Sequence, residues 1–87
     1  EGMGVLRVQV GAFADLQNAR ALLAQVQRNF ADGRIIQIDL QEGRRYRVQI
    51  GRFLTEPEAQ MAANRLDRTL NLQSLVVRDD NYIREGR

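Results

Sequence analysis

One seven-residue segment occurs twice in this chain, forty positions apart. The two copies are Arg7-Val8-Gln9-Val10-Gly11-Ala12-Phe13 and Arg47-Val48-Gln49-Ile50-Gly51-Arg52-Phe53. Five of the seven aligned positions are identical, and the match continues into Ala19 over Ala59 and the apolar pair Val26 over Leu66. The repeat therefore predicts two copies of one supersecondary unit.

Each copy begins with the alternation of a half-buried strand and continues with helical spacing. The alternating apolar residues are Leu6, Val8 and Val10 in the first copy and Tyr46, Val48 and Ile50 in the second, which predicts that even-numbered residues face the core. The helical sets are Leu16, Ala19, Leu23, Val26 and Phe30, and Ala59, Ala62, Ala63, Leu66 and Leu70. A helix is expected to follow each strand.

Capping residues in the sequence predict where both helices begin. Asp15 is placed to accept a hydrogen bond from the backbone of Gln17 or Asn18 and so to cap the first helix. Thr55 and Glu58 form a capping box for the second helix, with Pro57 in its first turn.

The turns complete the order of the elements. Asp32-Gly33 is expected to end the first helix, and Glu42-Gly43 to form a hairpin between the second and third strands. In the second strand the alternating apolar residues are Ile36, Ile38 and Leu40, and the last strand is expected over residues 74–78.

The predicted fold class is therefore α+β, with the order βαββαβ of ferredoxin-like and RNP-like domains. Right-handed crossovers give a four-stranded antiparallel sheet, spatial order 4-1-3-2, with both helices on one face. Because 87 residues suffice for one core, we expect one domain over residues 5–78, between an N-terminal tail (1–4) and a C-terminal tail (79–87).

The composition argues against zinc chemistry and triad hydrolysis. The chain has no cysteine and no histidine, so the usual thiolate and imidazole ligands and the usual general base are missing. Acidic residues such as Asp15, Glu56 and Glu58 fall at helix starts, where capping accounts for them. We predict a non-catalytic domain with no catalytic residues, no metal and no cofactor. No apolar run approaches the roughly 20 residues needed to cross a bilayer, so no membrane contact is expected.

The predicted sheet has one face without helices, and that face carries the candidate binding residues. Odd-numbered residues of the central strands are expected there: Arg7, Gln9, Arg45, Arg47 and Gln49. The outer strands add Ile35, Gln37 and Asp39 on one side and Leu75 and Val77 on the other. A polar outer face is also common in sheets that bind nothing, so the pattern alone leaves a merely solvated surface open.

The two repeated strands resemble those of the SPOR (sporulation-related repeat) domain. The likeness rests on residues 8–13 followed by a helix with Ala19 and on residues 46–53, and it extends over residues 5–78. It implies binding to septal peptidoglycan, on glycan strands without their stem peptides, through the helix-free face. It also implies a place in the bacterial periplasm or cell envelope, in a parent that can itself be a wall hydrolase or lytic transglycosylase.

The family's binding positions fall on Gln9, Arg45, Arg47 and Val77 of this chain. The chain departs from the family where Ala12 replaces a frequent serine, Arg45 replaces a tryptophan of some members, and Arg52 replaces a common proline.

The chemistry of these residues agrees with the resemblance. Removal of the stem peptide leaves a lactyl carboxylate on N-acetylmuramic acid, and an arginine fork can receive a carboxylate in a bidentate manner. Gln9, expected beside Arg47 on the neighbouring strand, offers a donor and an acceptor to an N-acetyl or hydroxyl group.

Two other functions use the same fold. RNA-recognition modules share the βαββαβ order, but residues 44–50 lack their stacking aromatics, so no nucleic acid is expected. A protein-interaction or dimerisation module would use an edge strand or the open face. We expect a monomer whose partner is the glycan strand.

Overall fold

The computed structural model describes residues 5–30 and 32–79. Its elements follow the predicted order: β1 (Val5–Phe13), α1 (Leu16–Val26), β2 (Gly33–Leu40), β3 (Gly43–Phe53), α2 (Glu56–Leu70) and β4 (Leu75–Asp79). The two predicted tails lie outside the described residues, apart from Asp79 at the end of β4.

The four strands form one antiparallel sheet in the order β2-β3-β1-β4. This is the predicted order 4-1-3-2 read from the opposite edge, so the fold prediction is confirmed. β1 and β3, the two repeated strands, lie side by side in the centre.

The core lies between the sheet and the helices. Val8, Val48 and Ile50 are fully buried and Val10 is 4% exposed, as the alternation predicts. The helices complete the core with small and branched residues: Ala19, Leu22 and Val26 from α1, and Ala59, Ala62, Ala63 and Leu66 from α2. Complete burial of one Val or Ile side chain stabilises a fold by about 1.5–3 kcal/mol, so these central strands hold the sheet to the helices.

Both helices begin as predicted. The Asp15 carboxylate accepts from the backbone N–H of Gln17 at 2.8 Å, and the Thr55 hydroxyl accepts from that of Glu58 at 3.4 Å. Pro57 lies in the first turn of α2, where a missing N–H costs little.

The first helix ends earlier than predicted. α1 stops at Val26, and the backbone N–H groups of Asn29 and Phe30 both donate to the Val26 carbonyl at 3.0 Å in the turn that follows. Phe30 packs against the core from this turn rather than from a helix. Phe30 therefore fits the helical spacing of apolar residues because it is partly buried, although it lies outside the helix.

In the second strand, the odd-numbered residues and not the predicted even-numbered ones face the core. Leu40 pairs with Gly43 across the loop of Gln41 and Glu42, and this register places Ile35 opposite Val48 and Ile36 opposite Arg47. Cross-strand partners share a face of the sheet, and Ile35 packs against the core.

The prediction that Ile35, Gln37 and Asp39 lie on the open face is therefore wrong. A hairpin loop of two residues pairs even-numbered residues of β2 with odd-numbered residues of β3, so the loop and not residue parity sets the face. Ile35 and Ile36 are adjacent, so both the odd-numbered and the even-numbered residues of β2 include an isoleucine. The sequence pattern therefore does not tell which set faces the core.

Candidate functional site on the helix-free face

The sheet surface opposite the helices is called the open face here. Its members follow from the pairing of the strands: Arg7, Gln9 and Ala12 on β1; Arg34, Ile36, Ile38 and Leu40 on β2; Arg45, Arg47 and Gln49 on β3; Leu75 and Val77 on β4. All six predicted site residues, Gln9, Arg45, Arg47, Val77, Arg7 and Gln49, lie on this face.

A β-bulge in β1 changes which of these residues are neighbours. Gln9 pairs with Gln49, but Gly11 pairs with Val48 and Ala12 with Arg47, so β1 holds one extra residue between Gln9 and Gly11. Arg47 therefore lies opposite Ala12, and the expectation that it lies beside Gln9 is wrong.

The bulge also places Ala12 in the site, which the sequence reasoning missed. A signal was present, since Val10 and Phe13 both pack towards the core although strict alternation would put residues three apart on opposite faces. The small Ala12 side chain is exposed and lies beside Arg47 on the same face.

One end of the open face is closed. Arg7 is only 6% exposed, and its guanidinium donates to the backbone carbonyl of Gly51 at 2.9 Å. Val5, two residues earlier, is 3% exposed, and Val77, the cross-strand partner of Arg7, is half-buried. Arg7 is thus built into the fold at this end, unlike the arginines of β3.

The middle of the face is a pair of amides. The Gln49 side chain, 8% exposed, donates to the Gln9 carbonyl oxygen at 3.3 Å. This bond orients both amides and leaves the two donor hydrogens of Gln9 for a ligand. Leu75, opposite Gln9 on β4, is 60% exposed and forms an apolar margin.

The other end carries two arginines on β3. Arg45 and Arg47 are half-buried, and Arg45 donates to the backbone carbonyl of Arg44 at 2.9 Å. Within residues 5–30 and 32–79, Arg47 has no ion pair and no side-chain hydrogen bond. Its guanidinium therefore keeps all five donors available for a ligand.

The neighbouring Arg44 has a different role. Its Nε lies 2.8 Å from the Asp39 carboxylate, and this hydrogen bond, followed by one to Tyr46, raises the pKa of Arg44. Both partners of the pair are well exposed, so it adds little stability. Asp39 neutralises Arg44 and leaves the charges of Arg45 and Arg47 on the open face.

Two isoleucines of β2 adjoin these arginines. Ile36 lies opposite Arg47 and Ile38 opposite Arg45, and both are half-buried. The two isoleucines are called the isoleucine row, and Arg45 and Arg47 the arginine row. Sequence reasoning missed the isoleucine row because it placed these residues in the core.

Stacking and metal chemistry find no support in the described part of the chain. Phe13, Phe30, Phe53 and Tyr46 all pack against the core, and Tyr82 lies outside the described residues. Between residues 5 and 79, with 31 left aside, His, Cys, Asp and Glu residues form no group that could hold a metal ion, and no helix is long and apolar enough to cross a membrane.

A sheet with helices on one face and polar side chains across the centre of the other defines a small α+β surface-binding module. The chain matches the family model of the SPOR domain over residues 2–78, and it belongs to that family. No curated protein matches the chain.

Two solved structures are similar to it. The SPOR domain of RlpA from Pseudomonas aeruginosa is 25% identical, with a TM-score of 0.75 over 85% of this chain and 99% of that one. The peptidoglycan binding domain of the B. subtilis cell wall lytic enzyme CwlC is 29% identical, with a TM-score of 0.63 over 87% of this chain and 90% of that one.

Proposed function

We propose that this domain binds the glycan strands of peptidoglycan, with a preference for strands that have lost their stem peptides, and that it directs a bacterial envelope protein to the septum or cell wall. Family membership supports the class of ligand, as does the similarity to a domain named for peptidoglycan binding. The open face supplies the chemistry for the preference.

The observation that carries the proposal is the arginine row. Arg47 lies on β3, one of the two central strands, has no partner within residues 5–30 and 32–79, and lies opposite the small residue Ala12. A stem peptide is attached to glycan through the lactyl carboxyl group of N-acetylmuramic acid. Its removal exposes a carboxylate, which a planar guanidinium binds in a bidentate manner.

The glutamine pair contributes the neutral part of recognition. The donors left on Gln9 suit the carbonyl oxygen of an N-acetyl group or a sugar hydroxyl. Because the described aromatic residues pack against the core, stacking on sugar rings does not add to these bonds. We therefore expect modest affinity from each domain.

The same facts disfavour the alternatives. RNA-recognition modules stack bases on aromatics of the open face, whereas Tyr46 lies on the helix side here. We assign no bond cleavage to the domain, because the carboxylates of Asp15, Glu56 and Glu58 lie exposed at the helix starts. We propose a monomer in the cell envelope, and gel filtration distinguishes it from a dimerisation module.

A pull-down on purified sacculi tests the proposal. Sacculi trimmed by an amidase should retain more of the domain than untreated sacculi, because trimming clears the peptides and exposes carboxylates. Added salt should weaken retention only partly, since hydrogen bonds to sugar persist when charges are screened. Equal retention on both kinds of sacculi contradicts the preference for denuded glycan.

A matched pair of variants assigns the binding to the open face. Arg47→Ala should weaken retention about tenfold or more, the loss expected for a hydrogen-bonded charge. Arg20→Ala removes the same charge from an exposed position of α1 and should bind like the wild type. Equal losses from both variants would show a non-specific effect of net charge.

A further inference from the structure

The isoleucine row is an apolar feature on a face that is otherwise polar. Ile36 and Ile38 are not members of the buried core, and their cross-strand partners are the two arginines of the arginine row. Residues directly opposite each other in an antiparallel sheet have Cβ atoms about 4.5–5.5 Å apart, and alternate residues of one strand are about 7 Å apart. The four side chains therefore form a compact patch that is cationic on one side and apolar on the other.

The patch restricts the chemistry of what covers it. A partner made only of charged groups, such as a polyphosphate or a nucleic-acid backbone, would satisfy the arginines and leave the isoleucines against water. A purely apolar partner would bury the arginines without counter-charges, which is costly. The complementary ligand carries a carboxylate and methyl groups a few ångströms apart on the same unit.

N-acetylmuramic acid without its stem peptide has this composition, since one sugar carries a lactyl carboxylate, a lactyl methyl group and an acetyl methyl group. We infer that Ile36 and Ile38 contact the methyl groups of the glycan while Arg45 and Arg47 hold its carboxylate. The inference rests on the proposed function and extends it to a specificity for N-acetylated, anionic sugar.

The two rows should separate in their response to salt. A contact with methyl groups depends on buried apolar area and is not weakened by moderate salt, whereas the contribution of exposed charges is screened. The isoleucine row should therefore supply the part of binding that survives at high salt.

The test measures binding to amidase-treated sacculi at low and high salt for three proteins: the wild type, Arg47→Ala and the double variant Ile36→Thr/Ile38→Thr. Threonine keeps the branched side chain that suits a strand but removes apolar contact. The double variant should bind about tenfold more weakly at every salt concentration, from roughly one buried methylene per position. Arg47→Ala should instead bind with a flatter salt dependence.

Ile35→Thr is the matched control on the same strand. Ile35 packs against the core on the helix side, so its replacement should lower the melting temperature while the folded protein binds as the wild type does. Thermal unfolding of the double variant, expected near that of the wild type, shows that its loss of binding is not a loss of fold.

The outcomes distinguish this inference from the proposed function. Wild-type binding to trimmed sacculi together with unchanged binding by the folded double variant would overturn the role of the isoleucine row and leave glycan binding intact. Failure of the wild type to bind would overturn both. A wild-type dimer that the double variant abolishes would show that a second copy covers the row, which also overturns the inference.

Discussion

The two copies of the repeat place one identical residue, an arginine, in two different environments. Arg7 and Arg47 occupy the same position of the repeated strand, and both lie on the open face. Arg7 is 6% exposed and donates to the Gly51 carbonyl, whereas Arg47 is half-buried with no partner within residues 5–30 and 32–79. Arg7 is therefore part of the fold, whereas we propose that Arg47, at the same position of the repeat, is part of the binding site.

The neighbouring strands explain the difference. β1 lies between β3 and β4, where Val77 stands opposite Arg7 and the carbonyl of Gly51 is within reach. β3 lies between β2 and β1, where Arg47 is flanked by Ile36 and the small Ala12. Local sequence sets the strand, but the position of the strand in the sheet sets what its side chains meet.

The largest expected effect concerns the glycine that both copies share. Gly51 has φ 78, and an added Cβ would collide with the ring of Phe53. Gly11 has no positive φ, although a Cβ there would approach Leu22 Cδ2 to 2.8 Å and the ring of Phe13 to 2.9 Å. Gly51→Ala should cost about 2–4 kcal/mol of unfolding free energy, from backbone strain together with the clash.

Chemical denaturation of Gly51→Ala and Gly11→Ala checks this ranking. Gly11→Ala should cost less because its backbone is not strained, the leucine end can move aside, and the added Cβ meets the Phe13 ring less closely than it meets the Phe53 ring at Gly51. A larger loss from Gly11→Ala would mean that packing, and not the positive φ, distinguishes the two copies.

The two copies should agree at their central valines. Val8 and Val48 are both fully buried in the same core. Val8→Ala and Val48→Ala should each cost about 1–3 kcal/mol through lost transfer energy and a residual cavity, and the folded fraction should still bind sacculi. Melting curves and pull-downs on both proteins measure this, and an unequal pair would indicate that one copy dominates the core.

Arg7→Ala should lower stability by about 1–2 kcal/mol. It removes a buried donor from the Gly51 carbonyl and the packing of the arginine stem. Denaturant unfolding gives the value, with Arg20→Ala as the exposed control. Stability equal to that of the control would mean that the hydrogen bond from Arg7 to the Gly51 carbonyl does not stabilise the fold.

The smallest effect is expected at the glutamine pair. Gln9→Ala removes the hydrogen bond that the half-buried Gln9 accepts from the buried Gln49 amide, so unfolding free energy should fall by about 0.5–1 kcal/mol. Binding to sacculi should weaken, but less than in Arg47→Ala, because a neutral hydrogen bond contributes less than one to a charge. A binding loss greater than that of Arg47→Ala would move the centre of the site to the glutamine pair.

Much of this could be predicted from the sequence. The repeat gave the element order, the central strands and the buried residues Val8, Val10, Val48 and Ile50, because alternation and helical spacing report burial directly.

The fine arrangement of the site could not be predicted in the same way. The bulge that puts Ala12 opposite Arg47 and the hairpin register that turns Ile36 outward each shift a strand by one residue. Such a shift reverses the face of every side chain beyond it, and a segment such as Ile35-Ile36 fits either register.

Arg47→Ala and Arg7→Ala should be compared in the same two assays, denaturant unfolding and retention on amidase-treated sacculi. Arg47→Ala should unfold within about 0.5 kcal/mol of the wild type and lose most of its binding, because it removes a free donor from an exposed surface. Arg7→Ala should lose stability and keep binding in its folded fraction. Normal binding by a stable Arg47→Ala protein would contradict the claim that the open face of this SPOR domain holds the glycan through its arginine row.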